Sequence, residues 1–290
     1  MSEKKQHIST LQNSIITYYD ATRLDYRVLW ANRKNRAIHF GYYDEKHLSH
    51  SSALENMNRV MAKEAGISAS DRVLDAGCGQ GGSSLWLAEN VGCHVVGITL
   101  VPHQVDVARI ESKKRNLEDK LNFDIKDYTE TGFKDESFSV IWACESVCHS
   151  KEKIAFYLEA FRLLKPGGRL VMAEYIRQSR NLNSSDELVL NQWCDGWSMP
   201  DLDTWEEHLK NLTDIGFVHI KNEDITNNVR PSLKRLFKMS DLLLNLGRLL
   251  HGLKIRNAVK HGNQLASIRQ YEALDKNLWY YGLVTAVKPL

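Results

Sequence analysis

One short stretch, residues 73–84, constrains the fold of this chain more than any other. It reads Val-Leu-Asp-Ala-Gly-Cys-Gly-Gln-Gly-Gly-Ser-Ser, an apolar strand that leads into a glycine loop and then a helix. Gly77, Gly79 and Gly81 have no Cβ, so the backbone can turn sharply under a ligand and present amide donors at the helix N-terminus. Asp75 ends the strand, and its carboxylate suits a ligand with an ammonium group better than a pyrophosphate.

Strands and helices alternate regularly after this stretch. Strands are predicted at 72–75, 94–99, 121–126, 139–143, 169–176 and 217–225, with helices between most of them. Lys165-Pro166-Gly167-Gly168 is predicted to end the helix before the fifth strand, since proline cannot continue a helix and glycine supplies a left-handed exit. This order predicts an α/β fold built on a parallel, doubly wound sheet.

Two kinds of region flank the alternating core. Residues 1–65 are predicted to be an N-terminal helical segment that closes the site, with a first helix over 11–35. Residues 66–290 are predicted to be the main domain. Insertions near 179–200 and 227–276 are expected to form a helical lid over the carboxyl ends of the strands, where open α/β sheets bind ligands. The second insertion contains a predicted amphipathic helix over 232–250.

Composition narrows the class of protein. The chain has 38 Lys and Arg against 36 Asp and Glu, a formal charge of +2, which argues against nucleic acid as a partner. The first ten residues are polar and no apolar run reaches membrane-spanning length, so a cytoplasmic protein without a transmembrane segment is expected. The five cysteines are expected to be reduced. No metal site is predicted, because the C-x-x-x-C-H run at 144–149 has no second pair at zinc spacing.

Basic residues are concentrated in the second insertion. Between Arg230 and Arg269 there are nine Lys and Arg residues against a single acidic residue, Asp241. Such an excess would attract a diphosphate, a carboxylate or an anionic membrane surface, while a solvated helix pair is the structural alternative. The expected partner is therefore a small-molecule or lipid-like acceptor, and peripheral membrane contact stays open.

Several motifs occur in an order typical of one enzyme family. They are the glycine loop with Asp75, Asp127-Tyr128 after strand three, residues 142–149 after strand four, and the Lys-Pro-Gly-Gly element. Over roughly residues 60–180 the chain resembles the class I S-adenosylmethionine-dependent methyltransferases. Ile98-Thr99-Leu100 and Cys144-Glu145-Ser146-Val147-Cys148-His149 are similar to the subgroup that contains sterol C-methyltransferases, tocopherol methyltransferases and geranyl diphosphate C-methyltransferases.

This resemblance implies a Rossmann-like, seven-stranded, mostly parallel sheet whose last strand, 278–287, is antiparallel at the sheet edge. It also implies S-adenosyl-L-methionine as the cofactor and S-adenosyl-L-homocysteine as the product. The implied cofactor-binding residues are Asp75 at the ammonium group, Gly77, Gly79 and Gly81 at the methionine half, Gln104 at the ribose, Asp127 and Tyr128 at the adenine, with Leu100 and Ala143 nearby. An Asp or Glu usually ends strand two in the family. Here Thr99 stands there, so one hydroxyl and a backbone amide are expected to replace it.

Methyl transfer from a sulfonium is an in-line displacement, so the protein mainly holds donor and acceptor in register and excludes water. Within the resembled subgroup a glutamate at the place of Glu145 faces the substrate, as proton acceptor or as counter-charge to a developing cation. His149 is a second candidate, with capping or packing as its alternative. Tyr18, in the leading helix, is a third, and packing of that helix is its alternative.

The predicted function is methylation of a small organic acceptor, amphiphilic or prenyl-derived, with C-methylation favoured. N- or O-methylation of a small polar metabolite is the alternative. An NAD-dependent oxidoreductase is a further one, because Gly77, Gly79 and Gly82 fit G-x-G-x-x-G, although strand two lacks the acidic residue that binds the ribose. A non-catalytic cofactor-binding regulator is opposed by Glu145. A nucleic-acid aminomethylating enzyme is opposed by the absence of an Asn/Asp-Pro-Pro-Tyr/Phe element.

Overall fold

The computed structural model describes residues 10–29 and 35–290. Within these residues one seven-stranded sheet is formed by β1 Arg72–Ala76, β2 His94–Thr99, β3 Leu121–Ile125, β4 Phe138–Cys144, β5 Leu164–Arg177, β6 Val218–Asp224 and β7 Trp279–Val287. Ten α-helices accompany it in the same described residues: α1 Thr10–Leu29, α2 His50–Glu64, α3 Gly82–Asn90, α4 Pro102–Lys114, α5 Lys153–Leu163, α6 Ser184–Gly196, α7 Trp205–Ile215, α8 Thr226–Leu242, α9 Leu244–Gly252 and α10 Ala258–Asp275.

The strands lie in the order β3-β2-β1-β4-β5-β7-β6. The first five are parallel to one another, and β7 is antiparallel to both of its neighbours. The predicted doubly wound, mostly parallel sheet of seven strands is therefore confirmed. The predicted edge position of the last strand is wrong, because β7 inserts between β5 and β6 and leaves β6 at the edge. The edge position suits β6, whose side chains are mostly exposed.

The core consists of two apolar layers, one on each face of the sheet. Alternate residues of each central strand enter opposite layers, as the two-residue period of a strand requires. On β4, Trp142 packs on the face covered by α2, α3 and α4, while Ile141 packs on the face covered by α5 and α7. The parallel strands are buried on both faces, so their carboxyl ends are the open edge of the core.

The remaining helices gather beyond that edge. α10 packs against α1, α6, α8 and α9. The predicted amphipathic helix over 232–250 is two helices, because the chain bends at Leu243 between α8 and α9. The predicted first helix over 11–35 is observed as α1, and residues 30–34 lie outside the described part. No helix of the described residues is long and apolar enough to cross a membrane.

Candidate active site

The glycine loop joins β1 to α3 beneath a cleft at the carboxyl ends of the strands. Gly77 has a φ of +89°, a left-handed conformation that favours glycine. A Cβ at Gly77 would lie 2.4 Å from the Cβ of Ser146, so the loop after β4 approaches the glycine loop more closely than any side chain would permit. The amides of Gly77 and Cys78 both donate to the carbonyl of Ile98 at 2.9 Å, which fixes the loop on β2.

The cleft is a concave space that is partly open to solvent. It lies between the ends of β1, β2 and β4, and Ile15 and Tyr19 of α1 contribute to its wall. Nine residues predicted for the site line this cleft: Asp75, Gly77, Gly79, Thr99, Leu100, Gln104, Tyr128, Glu145 and His149. The structure therefore brings together most of the candidates that the sequence motifs indicate.

Gly81 and Ala143, two of the predicted cofactor-binding residues, do not line the cleft. Gly81, the residue before α3, has a φ of +82°, and a Cβ there would lie 3.0 Å from Ala108 and 3.1 Å from Phe123, so the absence of a side chain permits close packing at this point. Gly82, the next residue, lines the cleft instead. Ala143 packs in the apolar layer on the opposite face of the sheet, because strand alternation directs its methyl group there.

Asp127 and Tyr18 also lie outside the lining of the cleft. Asp127 accepts hydrogen bonds from the Gln12 side-chain amide at 2.6 Å and from the Thr129 amide at 2.7 Å, so α1 covers its carboxylate. Tyr18 is buried, and its hydroxyl donates to Oδ1 of Asn263 on α10 at 2.8 Å. Tyr18 lines a second, neighbouring cavity, where it contributes an aromatic face and not a free hydroxyl.

Asp75 is the buried acid of the cleft. Its Oδ2 accepts a hydrogen bond from the Ser84 hydroxyl at 2.6 Å. Burial raises the pKa of Asp75 to about 7, and the Ser84 hydrogen bonds oppose that rise. When an ammonium group binds beside this buried carboxyl group, it provides a counter-ion and stabilises the ionised form.

Thr99 and Gln104 are held to each other at the end of β2. The Thr99 hydroxyl donates to Oε1 of Gln104 at 2.8 Å and accepts from the Val101 amide at 3.3 Å. This contact uses the Gln104 carbonyl oxygen and leaves its NH₂ group as the donor that a ribose hydroxyl would meet. Thr99 thus helps to orient the Gln104 side chain at the predicted ribose subsite.

Glu145 lies directly after β4 with a φ of +51°, a left-handed conformation that is uncommon for a residue other than glycine. Three donors converge on its carboxylate. The Phe40 amide and the Tyr281 hydroxyl each donate to Oε1 at 2.6 Å, and the Tyr175 hydroxyl donates to Oε2. Burial raises the pKa of Glu145 to about 7, while these donors favour the ionised form.

His149 is held by α1 and by the loop after α6. Its Nδ1 lies 3.2 Å from the Ser198 carbonyl oxygen, and its Nε2 lies 3.0 Å from the Tyr19 hydroxyl. A carbonyl oxygen can only accept, so Nδ1 carries the proton, and the Tyr19 hydroxyl donates to Nε2. Burial lowers the pKa of His149 to about 4, which keeps the imidazole neutral.

A second, smaller space adjoins the cleft; we call it the aromatic cavity. It is lined by Tyr18, Tyr19, Ile38, Glu145, Cys148, His149, Tyr175, Trp197 and Met199. Tyr19, Ile38, Glu145 and His149 line both spaces and form the boundary between them. Of the other aromatic residues in the flanking segments, Phe40 and Trp193 are core residues that pack behind this wall, against Trp197.

The basic residues of the second insertion lie away from both spaces. Lys234 and Lys238 are exposed on α8, and Arg235 is half-buried near Tyr43. None of the three lines the cleft or the aromatic cavity, and in the part of the chain that the structure describes no Lys or Arg lines the aromatic cavity. The structure therefore does not support the interpretation that these side chains bind an anionic group of an acceptor at the aromatic cavity.

Sequence motifs miss the two tyrosines that hold Glu145. Tyr175 on β5 and Tyr281 on β7 are direct register partners in the antiparallel pair, which aims both hydroxyls at one carboxylate. A polar residue within an apolar strand, as in Ala173-Glu174-Tyr175-Ile176, is the only signal the sequence carries. Which strands pair, and in which register, cannot be read from that pattern.

The lining of the cleft fits S-adenosylmethionine. Asp75 offers a buried carboxylate for the ammonium group, Gly77 and Gly79 leave room for the backbone to approach the methionine half, and Gln104 offers a donor for the ribose. When bound, adenosylmethionine supplies a methyl group on a sulfonium. Among residues 10–29 and 35–290, no group of three or more His, Cys, Asp or Glu side chains could hold a metal ion.

The comparisons with known proteins agree with the fold and the cleft in indicating an S-adenosylmethionine-dependent methyltransferase. Residues 74–172 match a family described as "Methyltransferase domain". The chain is 28% identical over 301 residues to the chloroplastic tocopherol O-methyltransferase of Arabidopsis thaliana, covering 97% of this chain and 83% of that protein.

Two solved structures have a similar fold. The [4+2]-cyclase SpnF gives a TM-score of 0.79 at 22% identity and covers 96% of each chain. The geranyl diphosphate C-methyltransferase from Streptomyces coelicolor A3(2), solved with Mg²⁺, geranyl diphosphate and S-adenosyl-L-homocysteine, gives a TM-score of 0.73 at 19% identity and covers 97% of this chain and 98% of that one. The family match and the curated relatives, taken with these structures, confirm the predicted enzyme class and cofactor.

Proposed function

We propose that this methyltransferase acts on an amphiphilic, prenyl-derived acceptor that enters the aromatic cavity, and that the methyl group is transferred to carbon. The observation that carries this proposal is the position of Glu145 on the boundary between the cleft and the aromatic cavity. A carboxylate at that boundary faces both the sulfonium side and the acceptor side of the reaction.

The aromatic cavity suits an acceptor that becomes positively charged. When an alkene carbon forms a bond to the incoming methyl group, the C–S bond breaks and positive charge develops on the neighbouring carbon. Tyr19, Tyr175 and Trp197 line this space, and aromatic rings can attract cations through their faces. This stabilisation of the developing cation does not require a charged group on the acceptor.

Glu145 supplies the opposite charge and the proton acceptor. Its three hydrogen-bond donors hold the carboxylate in one orientation, so no reorganisation is needed as the cation develops. Loss of a proton from the carbon next to the cation to Glu145 would complete the reaction and restore a double bond. A pKa near 7 matches this role, since the group is then both ionised and basic at neutral pH.

The part of the acceptor that enters the aromatic cavity is proposed to be uncharged, because no Lys or Arg among the described residues lines that cavity. The similar proteins include a tocopherol O-methyltransferase and an enzyme solved with geranyl diphosphate. Tocopherols and geranyl diphosphate are both compounds with a prenyl-derived chain. We therefore favour a prenyl-derived acceptor without a requirement for a diphosphate.

Closure of the site is proposed to come from residues 1–65 and from the two helical insertions. Ile15 and Tyr19 of α1 line the cleft, and Gln12 covers Asp127. Trp197 and Met199, just after α6, line the aromatic cavity. Because α10 packs on both α1 and α6, these elements form one layer over the strand ends.

O-methylation of a prenylated phenol is the second candidate. It is favoured by the hydrogen bond between the Tyr19 hydroxyl and Nε2 of His149, a neutral imidazole that borders the aromatic cavity and could accept a phenolic proton after exchange of its partner. The two candidates differ in the residue on which proton removal depends, Glu145 for carbon and His149 for oxygen.

Labelled adenosylmethionine tests the proposal with a matched set of acceptors. The set contains an uncharged prenyl alkene, geranyl diphosphate, a prenylated phenol and the same phenol without its chain. We expect turnover of the uncharged prenyl alkene, with label on carbon and loss of activity as the chain is shortened. Preferred turnover of the short phenol, with label on oxygen, would overturn the proposal for both the acceptor and the atom.

A further inference from the structure

The corner between α8 and α9 carries an apolar surface that faces solvent. Four leucines are involved: Leu242 is 83% exposed, Leu246 52%, Leu249 59% and Leu253 59%. Ile255, two residues further on, is 71% exposed. We call these five residues the leucine surface. Contiguous exposed apolar residues of this kind mark an interaction site, whereas single exposed leucines do not.

The backbone holds this surface outward. Leu246 and Leu249 on α9 and Leu253, the residue after the helix, follow one another at spacings of three and four residues, so they lie along one side. The buried residue of this helix is Gly247, which faces α10, and a Cβ there would lie 2.1 Å from Oε1 of Gln264. α9 is thus packed closely against α10 through its glycine side, which leaves the leucine side to solvent.

Positive charge surrounds the leucine surface. Arg248 and Lys254 lie within the same segment, Lys238 precedes it by one turn of α8, and all three are exposed. From residue 242 to residue 269 the sequence contains no Asp or Glu. An exposed apolar side with a cationic border is the arrangement of a helix that lies in the interface of an anionic membrane.

We propose that the leucine surface is a peripheral docking site for an anionic phospholipid bilayer. Charge complementarity decides for this occupant, since the phosphate groups of anionic lipids meet Arg248 and Lys254 while the leucines enter the boundary of the acyl chains. α9 lies on the membrane and does not cross it, in keeping with the absence of a spanning helix in the part of the chain that the structure describes. The proposal does not depend on the identity of the methyl acceptor.

Vesicle flotation of the full chain tests this proposal. We expect binding to vesicles of phosphatidylcholine mixed with phosphatidylglycerol, much weaker binding to phosphatidylcholine alone, and loss of binding at high salt. Replacing the three α9-face leucines together, Leu246→Ser, Leu249→Ser and Leu253→Ser, should reduce partitioning at least about tenfold, because less apolar surface leaves water on binding. The pair Arg248→Gln and Lys254→Gln should reduce it about fivefold per charge.

Matched controls separate this site from general surface effects. Ile110, Leu158 and Leu188 are exposed to a similar degree, at 54%, 54% and 56%, but lie on three other helices. Their replacement by Ser together, and the pair Lys113→Gln and Lys151→Gln, should leave partitioning unchanged. Partitioning that falls equally in the control and in the leucine variant would contradict the proposal.

A second copy of the chain is the competing occupant. If light scattering shows a dimer that the leucine variant converts to a monomer, while neither protein binds anionic vesicles, the surface is a subunit interface and the proposal is wrong. Methyl transfer to a water-dispersed acceptor should be the same in the leucine variant and the wild type. Failure of vesicle binding and failure of the proposed reaction therefore give different results.

Discussion

The phenolic hydroxyl of Tyr281 donates a hydrogen bond to Oε1 of Glu145 at 2.6 Å, although 136 residues separate the two in the sequence. Tyr175, the register partner of Tyr281, donates to the other carboxylate oxygen. The antiparallel strand β7 thus does more than extend the sheet. Together with β5 it supplies a pair of donors that counteract the effect of burial on the Glu145 carboxyl group.

Removal of one of these donors should change the pH dependence of the reaction. Hydrogen bonds to the ionised form lower a carboxyl pKa, so Tyr281→Phe should raise the pKa of Glu145 further above about 7. Since the reaction needs the carboxylate, the acid limb of the pH profile of kcat/KM should move to higher pH. Tyr280→Phe is the matched control, because the Tyr280 hydroxyl contacts Asn222 on β6. Profiles that superimpose for Tyr281→Phe and Tyr280→Phe would show that the Tyr281 hydrogen bond does not act on the reacting group.

The contact between Thr99 and Gln104 should contribute measurably to cofactor binding. Thr99→Val removes the hydroxyl that holds Gln104 and leaves a side chain of similar shape. We expect adenosylhomocysteine binding to weaken by about 1 kcal/mol, the usual scale of one neutral hydrogen bond. Thr99→Ser, which keeps the hydroxyl, should bind nearly as well as the wild type. A dissociation constant unchanged in Thr99→Val by calorimetry would mean that backbone amides alone hold the ribose.

Cofactor affinity should depend on pH through Asp75. Burial raises the pKa of this carboxyl to about 7, so below that pH the free protein holds it protonated, and binding of an ammonium group requires the proton to leave. Affinity for adenosylhomocysteine should therefore rise from about pH 5.5 to about pH 7, by up to tenfold per pH unit.

Two variants identify the group responsible for that pH dependence. Ser84→Ala removes a hydrogen bond that opposes the rise in the Asp75 pKa, so the midpoint of the affinity change should move to higher pH. Asp75→Asn should bind weakly at every pH, with a much flatter profile. A steep profile that persists in Asp75→Asn would assign the titration to another group of the cleft, such as Glu145.

The parts of this protein that follow local rules could be predicted from its sequence. The glycine loop, the parallel strands and the proximity of Asp75 and Gly77 to Glu145 follow from strand ends that meet at one edge of an α/β sheet. The placement of β7 between β5 and β6 could not be predicted from local pattern, because strand order depends on long-range pairing.

The differences at individual residues have the same cause. Asp127 is predicted to contact the adenine; its carboxylate lies outside the lining of the cleft and accepts a hydrogen bond from Gln12, a contact across 115 residues that no local pattern indicates. The predicted helix over 232–250 is divided at Leu243, and its second part packs closely on a later helix, where a Cβ at Gly247 would lie 2.1 Å from Oε1 of Gln264. Of the leucines on α9, Leu246 and Leu249 are exposed to solvent.

Glu145→Gln is the variant that tests the central claim most directly, because it keeps the shape of the side chain and removes its charge. The measurement is the turnover rate at saturating acceptor and cofactor, made beside calorimetry of adenosylhomocysteine binding on the same protein. The account predicts that turnover falls at least about a hundredfold, a typical general-base contribution, while the dissociation constant of the cofactor product barely changes. Normal turnover at saturation together with a collapse of cofactor affinity would contradict it.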